Sequence, residues 1–360
     1  MKLTERSSRA GKRIRRGLFH FLAAICLVFC TGCSLANRSI QRNLKQGGYM
    51  ESWSEEDGRV LAGLSYGKKK SNRYDLYLPK SIDPKQDSPL LLLIHGGSWT
   101  SGGRGDMAYA CKYYGKNGCI TATMDYSLIS EDDDTVTVKT MLDEITACIG
   151  ALKKKLEKEG YHASKLAVGG MSAGGHLAML YAYSRASESA IPVGFVFEKV
   201  GPVSFHKEFW GADVSALLIG YGVRAKVDPD KLDAPEAQAA ADSLSPLHFI
   251  GPKSPPTIFA YGGKDTLVKP VHRDELAKAL EQHHVPNIRV DFPKSNHMLW
   301  DDPDCTSQFR EAVLKYCSLY LKPDTEQNEQ NEQNEQNKQN KQNKQNKQNE
   351  QNEQQPEHEE

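Results

Sequence analysis

This chain has no surplus of charge. Its 46 lysines and arginines equal its 46 aspartates and glutamates, so no net field draws it toward nucleic acid or an acidic polymer. It has no apolar run fit for a comfortable membrane span: the stretch Leu18–Phe29, interrupted by His20, falls short of the ~20 residues required. It has no zinc-type cysteine spacing, so no metal site is expected. The acidic segment Glu131–Asp134 lacks the spacing of a calcium loop and reads as a solvated turn. Beyond Cys33 the cysteines are odd in number (Cys111, Cys119, Cys148, Cys305 and Cys317), which leaves at least one thiol outside any intramolecular disulfide. Cys305 and Cys317 fall in one expected helix and would stand ~18 Å apart, well beyond the ~7 Å that a disulfide tolerates. Buried, unpaired thiols are the expectation.

The N-terminus is locally different. Lys2, Arg6, Arg9, Lys12, Arg13, Arg15 and Arg16 face a single acid, Glu5, before the short apolar run begins. Residues 1–33 thus have the dimensions of a signal peptide. The run ends in Cys30-Thr31-Gly32-Cys33, which resembles a bacterial lipobox with Cys33 as the lipidated residue, although Cys30 stands where that pattern has leucine. Lipidation of Cys33 gives a membrane anchor. Cleavage after Ser34-Leu35-Ala36 and secretion is the competing reading, and an uncleaved anchor is a third. Each places the chain outside the cytoplasm.

Residues 34–58 are polar and aperiodic and read as a spacer. From residue 59 to 322 short apolar runs alternate with helical patterns. Strands are expected at Val60–Tyr66, Arg73–Leu78, Leu90–Ile94, Ile120–Met124, Leu166–Gly169, Gly194–Val200, Thr257–Tyr261 and Ile288–Phe292. The wholly apolar Leu90–Ile94 suits a strand covered on both faces. Met141, Ile145, Cys148, Ile149, Leu152 and Leu156 form one helical stripe, and Leu276, Ala279 and Leu280 a second. Phe309, Val313 and Tyr316 form a third. This alternation predicts an α/β fold with a mostly parallel sheet and helices on both faces. The stretch 203–256, with Phe205, Phe209, Trp210 and Tyr221, is too long and too apolar for a bare connection, and reads as a structured, cap-like insertion. After Pro323 the EQN and KQN triplets of residues 323–360 carry no apolar content to offset ordering entropy, so disorder is expected there.

The segment Leu166–Leu180 carries the chemistry. A buried strand runs into Gly170-Met171-Ser172-Ala173-Gly174 and then into an expected amphipathic helix. In G-x-S-x-G a sharp strand-to-helix turn lifts the serine hydroxyl clear of the sheet. A hydroxyl is a poor nucleophile and needs a base, and the base an orienting acid, in the chain order serine, acid, histidine. His297 follows the last expected strand in a loop. His176, His272 and His283–His284 sit in or at the end of helices, and His206 and His248 precede the acid. Asp265 leaves the strand Thr257–Tyr261 through a Gly262-Gly263-Lys264 turn, at the strand end where active sites of open α/β sheets form. Asp291 is its rival but shares a strand face with Arg289; Asp301, Asp302 and Asp304 follow the histidine. For an oxyanion, His95-Gly96-Gly97 after Leu90–Ile94 matches the H-G-G motif of esterases. The expected donors are the N–H groups of Gly96 or Gly97 and of Ala173.

These pieces resemble an α/β-hydrolase of the carboxylesterase group that includes hormone-sensitive-lipase-like and bacterial feruloyl or acetyl esterase-like enzymes. The matching residues are His95–Trp99, Met124–Leu128, Gly169–Ala178, Ser245–Phe249, Tyr261–Val268 and Ser295–Leu299, in family order. Ser98 replaces a frequent third glycine, and Met171 stands where small or acidic residues are common. The resemblance implies an eight-stranded sheet, no metal and no organic cofactor. It also implies a serine carboxylesterase acting on a small-molecule or carbohydrate-linked ester. A peptidase or amidase on the same fold, and a non-catalytic surface binder, are the alternatives.

Overall fold

The computed structural model describes residues 50–323. The signal segment, Cys33, the first part of the expected spacer and all but the first residue of the repeat tail lie outside the described residues. Eight strands build one sheet: β1 (Gly58–Ser65), β2 (Arg73–Pro79), β3 (Leu90–Ile94), β4 (Ile120–Met124), β5 (Leu166–Met171), β6 (Val193–Lys199), β7 (Thr257–Gly262) and β8 (Asn287–Phe292). Their spatial order is β1-β2-β4-β3-β5-β6-β7-β8. β2 is antiparallel to both neighbours, and every pair from β4 to β8 is parallel. The eight expected strands are thus present, the first starting two residues early.

The helices are α1 (Ala108–Lys116), α2 (Val138–Glu159), α3 (Ala173–Ser184), α4 (Lys207–Trp210), α5 (Ala212–Val223), α6 (Pro235–Leu244), α7 (Pro270–Gln282) and α8 (Pro303–Tyr320). α2 has clear physical ends. Thr137 caps its N-terminus by accepting the Thr140 N–H, and Gly160 closes it in the left-handed region at φ 82°. Its expected stripe, Met141 through Leu156, is buried. In β3 all five residues are buried, each leucine contributing about 1.5–3 kcal/mol by leaving water.

Two expectations are corrected. α3 is not amphipathic: every residue from Ala173 to Ala182 is buried, because the helix lies among the sheet, α2 and the turn Pro246–Phe249. A helix covered all round is apolar all round. The spacer does not extend to residue 58 either. Trp53 packs edge-on against Tyr77 at 5.5 Å and donates its indole N–H to the Gly58 carbonyl at 3.2 Å. Lys116 adds contacts to Ser52 Oγ at 3.4 Å, Asp57 at 3.7 Å and Glu51 at 3.8 Å.

The chain order turns at β3, with β4 on one side and β5 on the other, and Ile94 is in register with Gly170. Parallel strands that diverge in this way leave a crevice beyond their C-terminal ends. Both the H-G-G loop and the serine turn open into it.

Candidate active site

Ser172 sits at φ 57° and ψ −123° between β5 and α3. A non-glycine residue held there costs about 1–3 kcal/mol, sustained by its surroundings. Its N–H donates to the Lys199 carbonyl at 2.8 Å, and its carbonyl accepts the His176 N–H at 2.9 Å. The flanking glycines make the turn possible. A Cβ on Gly174 would lie 2.1 Å from the Ile94 carbonyl oxygen, and one on Gly170 would lie 2.4 Å from the Gly174 backbone. Both obstacles are main chain and cannot give way.

The structure brings the three candidate residues together. His297 Nε2 lies 2.9 Å from Ser172 Oγ, and His297 Nδ1 lies 2.7 Å from Asp265 Oδ2. Asp265 is buried, and its other oxygen accepts the N–H groups of Leu267 at 2.8 Å and Val268 at 3.0 Å. Those two bonds aim the carboxylate. A carboxylate can only accept, so Nδ1 of His297 carries the proton and Nε2 is left to accept from the serine hydroxyl.

The rival carboxylates are elsewhere. Asp291 is exposed and paired with Arg289 at 2.9 Å and Arg273 at 3.2 Å. Asp302 is buried but braces the histidine loop, accepting from Ser295 Oγ at 2.7 Å and the Lys294 N–H at 3.0 Å. Neither touches His297 among the described contacts.

The oxyanion donors are placed by the loop after β3. The Gly96 carbonyl accepts from His95 Nδ1 at 2.6 Å, and the Tyr126 hydroxyl donates to the His95 carbonyl at 3.1 Å. In a trans peptide the N–H points opposite to its C=O. The Gly96 and Gly97 N–H groups are therefore turned away from Tyr126. Gly97 has φ 106°, and a Cβ there would lie 2.2 Å from the Ser101 carbonyl oxygen, so only glycine fits. Gly96 lies against the serine turn; its own Cβ would be 3.3 Å from that of Ser172. Among the described residues, no acceptor takes the N–H of Gly96, Gly97 or Ala173.

Sequence reading passed over His176 as a base, and the structure gives it another place. It accepts the Trp99 indole N–H at 3.1 Å on Nδ1 and donates from Nε2 to the Leu244 carbonyl at 2.8 Å. It therefore ties the loop after β3 to the end of α6. Burial pushes its pKa down to about 4, partly offset by the Leu244 bond. In an unfolded chain a histidine titrates near ~6.5. Between these values the unfolded state binds the proton and the folded state does not, so stability falls as pH drops through that window. The gap in unfolding free energy between wild type and His176→Gln should shrink by on the order of 2 kcal/mol from pH 7 to pH 5. Urea melts at the two pH values measure it. An unchanged gap would mean that His176 titrates as it does when unfolded.

Residues Phe205, Trp210, Leu217 and Tyr221 of the stretch 203–256 line the crevice. A cavity of about 350 Å³ opens onto Ser172 and Ala173, lined by Trp99, Ile129, Phe205, Trp210, Leu217 and Tyr221 among others. The sequence held a signal for one wall that went unread: Val214, Leu217, Leu218 and Tyr221 recur at helical spacing along α5. The acidic segment is also organised. Arg224 donates to the carbonyls of Ser130 and Asp133, and to that of Val136 at 3.0 Å.

Comparison with known proteins gives this geometry a context. A family model described as BD-FAE matches residues 74–280. The chain is 22% identical over 236 residues to esterase LipQ of Mycobacterium tuberculosis, covering 63% of this chain and 54% of that protein. It is 26% identical over 122 residues to kynurenine formamidase of Danio rerio, covering 34% of this chain and 38% of that one. The chain thus spans about half or less of these relatives' lengths. Among solved structures, a truncated carbohydrate esterase from gut microbiota superposes with a TM-score of 0.61 at 17% identity, covering 74% of this chain and 98% of that one.

Proposed function

The chain belongs to the BD-FAE family of α/β hydrolases, and on that premise we propose that it is a serine carboxylesterase. The observation that carries this reading is the unbroken line from Asp265 through His297 to Ser172, at 2.7 and 2.9 Å. Gly96 and Ala173 adjoin Ser172, and among the described residues no acceptor takes their N–H groups or that of Gly97. Ser172 Oγ attacks the ester carbonyl, and His297 Nε2 takes the hydroxyl proton. The N–H groups of Ala173 and of Gly96 or Gly97 hold the oxyanion, each such donor being worth about 10²–10³ in rate. His297 then gives its proton to the departing alcohol. Water, deprotonated in turn by His297, releases the acid and restores the serine. Asp265 fixes the imidazole tautomer and stabilises the imidazolium.

A fluorophosphonate ester should add one phosphonyl mass to the peptide bearing Ser172 and abolish hydrolysis of p-nitrophenyl butyrate. Labelling elsewhere, or hydrolysis that survives full labelling, would sink this reading. The formamidase relative gives a second reading, amide hydrolysis at the same serine. Faster turnover of the matched p-nitroanilide than of the ester would favour it.

We further propose that Cys33 bears the lipid expected from its sequence setting. Two or more acyl chains anchor stably, since each buried CH₂ contributes about 0.8 kcal/mol. Intact-mass analysis of the protein from its native membrane should find diacylglyceryl mass on Cys33. An unmodified N-terminus at Asn37 would show ordinary secretion instead.

A further inference from the structure

The cavity above Ser172 is mostly apolar, its polar lining being confined to Ser98, Thr100, Ser172, Tyr221, Thr266 and Lys269. α5 presents Val214, Leu217, Leu218 and Tyr221 on one face, at the i, i+3, i+4, i+7 spacing that aligns side chains over two turns. Trp99, Phe205 and Trp210 line the same cavity.

The two indoles could have offered donors, but both are turned into the protein. Trp99 Nε1 donates to His176 at 3.1 Å, and Trp210 Nε1 donates to the Ser204 carbonyl at 2.7 Å. What these side chains show the cavity is carbon. Lys269 is the single charged residue of the lining, and it is exposed. Charge is gathered instead in a neighbouring cavity of about 620 Å³, across Ile129, Leu217 and Tyr221, where Glu131, Asp132 and Lys226 form part of the wall.

We propose that the substrate is an ester bearing an uncharged apolar chain or aryl ring that fills the cavity beneath α5, and that a sugar does not enter it. This rests on the reading of Ser172 as an esterase nucleophile. A sugar ring would bring several hydroxyls against a lining in which indole, phenyl, leucine and valine side chains outnumber hydroxyls, and each hydroxyl left unpaired loses about tenfold or more in binding. An alkyl chain gains about fourfold for each methylene it buries. These two terms have opposite signs, and both favour the apolar ligand.

The chain could belong to the acyl or to the alcohol side of the ester, and paired substrate series separate the two. One series is p-nitrophenyl acetate, butyrate, hexanoate and octanoate; the other is methyl, butyl, hexyl and octyl acetate. An acetylated xylo-oligosaccharide is the third arm. In whichever series places its chain in the cavity, kcat/KM should rise by on the order of 10² over the first four added methylenes. Leu217→Trp, which narrows the space, should flatten that slope. Leu217→Ala should extend the rise to longer chains.

A flat or falling response in both series, or a clear preference for the sugar acetate, would overturn the proposal while leaving the esterase reading intact. A slope unmoved by either Leu217 substitution would overturn it as well. No hydrolysis of any ester, together with no phosphonate on Ser172, would overturn the underlying reading first.

Discussion

Ser172→Ala should leave p-nitrophenyl butyrate hydrolysis at background. In a Ser-His-Asp hydrolase, removing the nucleophile costs on the order of 10⁶ in kcat. What remains comes from the oxyanion donors and binding, without a covalent route. The substitution removes one oxygen and leaves the turn in place, because the backbone bonds of residue 172 to Lys199 and His176 involve main-chain atoms alone. Unchanged melting behaviour would establish that the loss is chemical. Turnover above a few per cent of wild type, in protein free of wild-type contamination, would show that the nucleophile lies elsewhere.

Asp265→Asn should lower kcat by up to about 10⁴. The cause is specific. An asparagine oxygen can still accept the Leu267 and Val268 N–H groups, so the turn after β7 keeps its shape. Its amide NH₂ then faces His297 and demands an acceptor at Nδ1. The imidazole proton moves to Nε2, the atom that must receive the serine proton. Asp291→Asn, by contrast, alters an exposed ion pair and should change kcat less than twofold, with a stability effect within ~1 kcal/mol. Equal losses in the two variants, or the reverse ranking, would move the orienting role to Asp291.

The site was largely legible in the sequence because its parts are local motifs joined by an order rule. Gly170 and Gly174 mark a turn that main-chain crowding forbids to any other residue. The choice of Asp265 over Asp291 followed from the two-residue period of β8, where Asp291 shares the solvent face with Arg289. The strands were legible for a similar reason. Leu90–Ile94 and Ile120–Met124 are short, apolar and bounded by turn signals, and the structure reproduces both ranges.

What stayed hidden depends on tertiary packing. The stripe on α5 can be counted in the sequence, but its target cannot, since only the docking of α5 over the strand ends turns it into a cavity wall. α3 was misread as amphipathic although its nearly all-apolar sequence from Ala173 to Ala182 is the local mark of a helix covered on every side. The bond from Trp99 to His176 spans 77 residues and links two motifs that each read as complete alone. Trp53 was missed because one aromatic residue in a polar stretch has no period.

The distances along the chain have a consequence for synthesis. Ser172 and His297 are 125 residues apart, and Asp265 lies between them, 32 residues before His297. In synthesis the residues of β3, β5 and the serine turn all precede His297, the proposed base. The loop carrying His297 is in turn fastened by Asp302, at the N-terminal end of the last described helix, α8. On the proposed roles, a chain that ends between Ser172 and His297 carries the nucleophile without the base that activates it, and is expected to be inert.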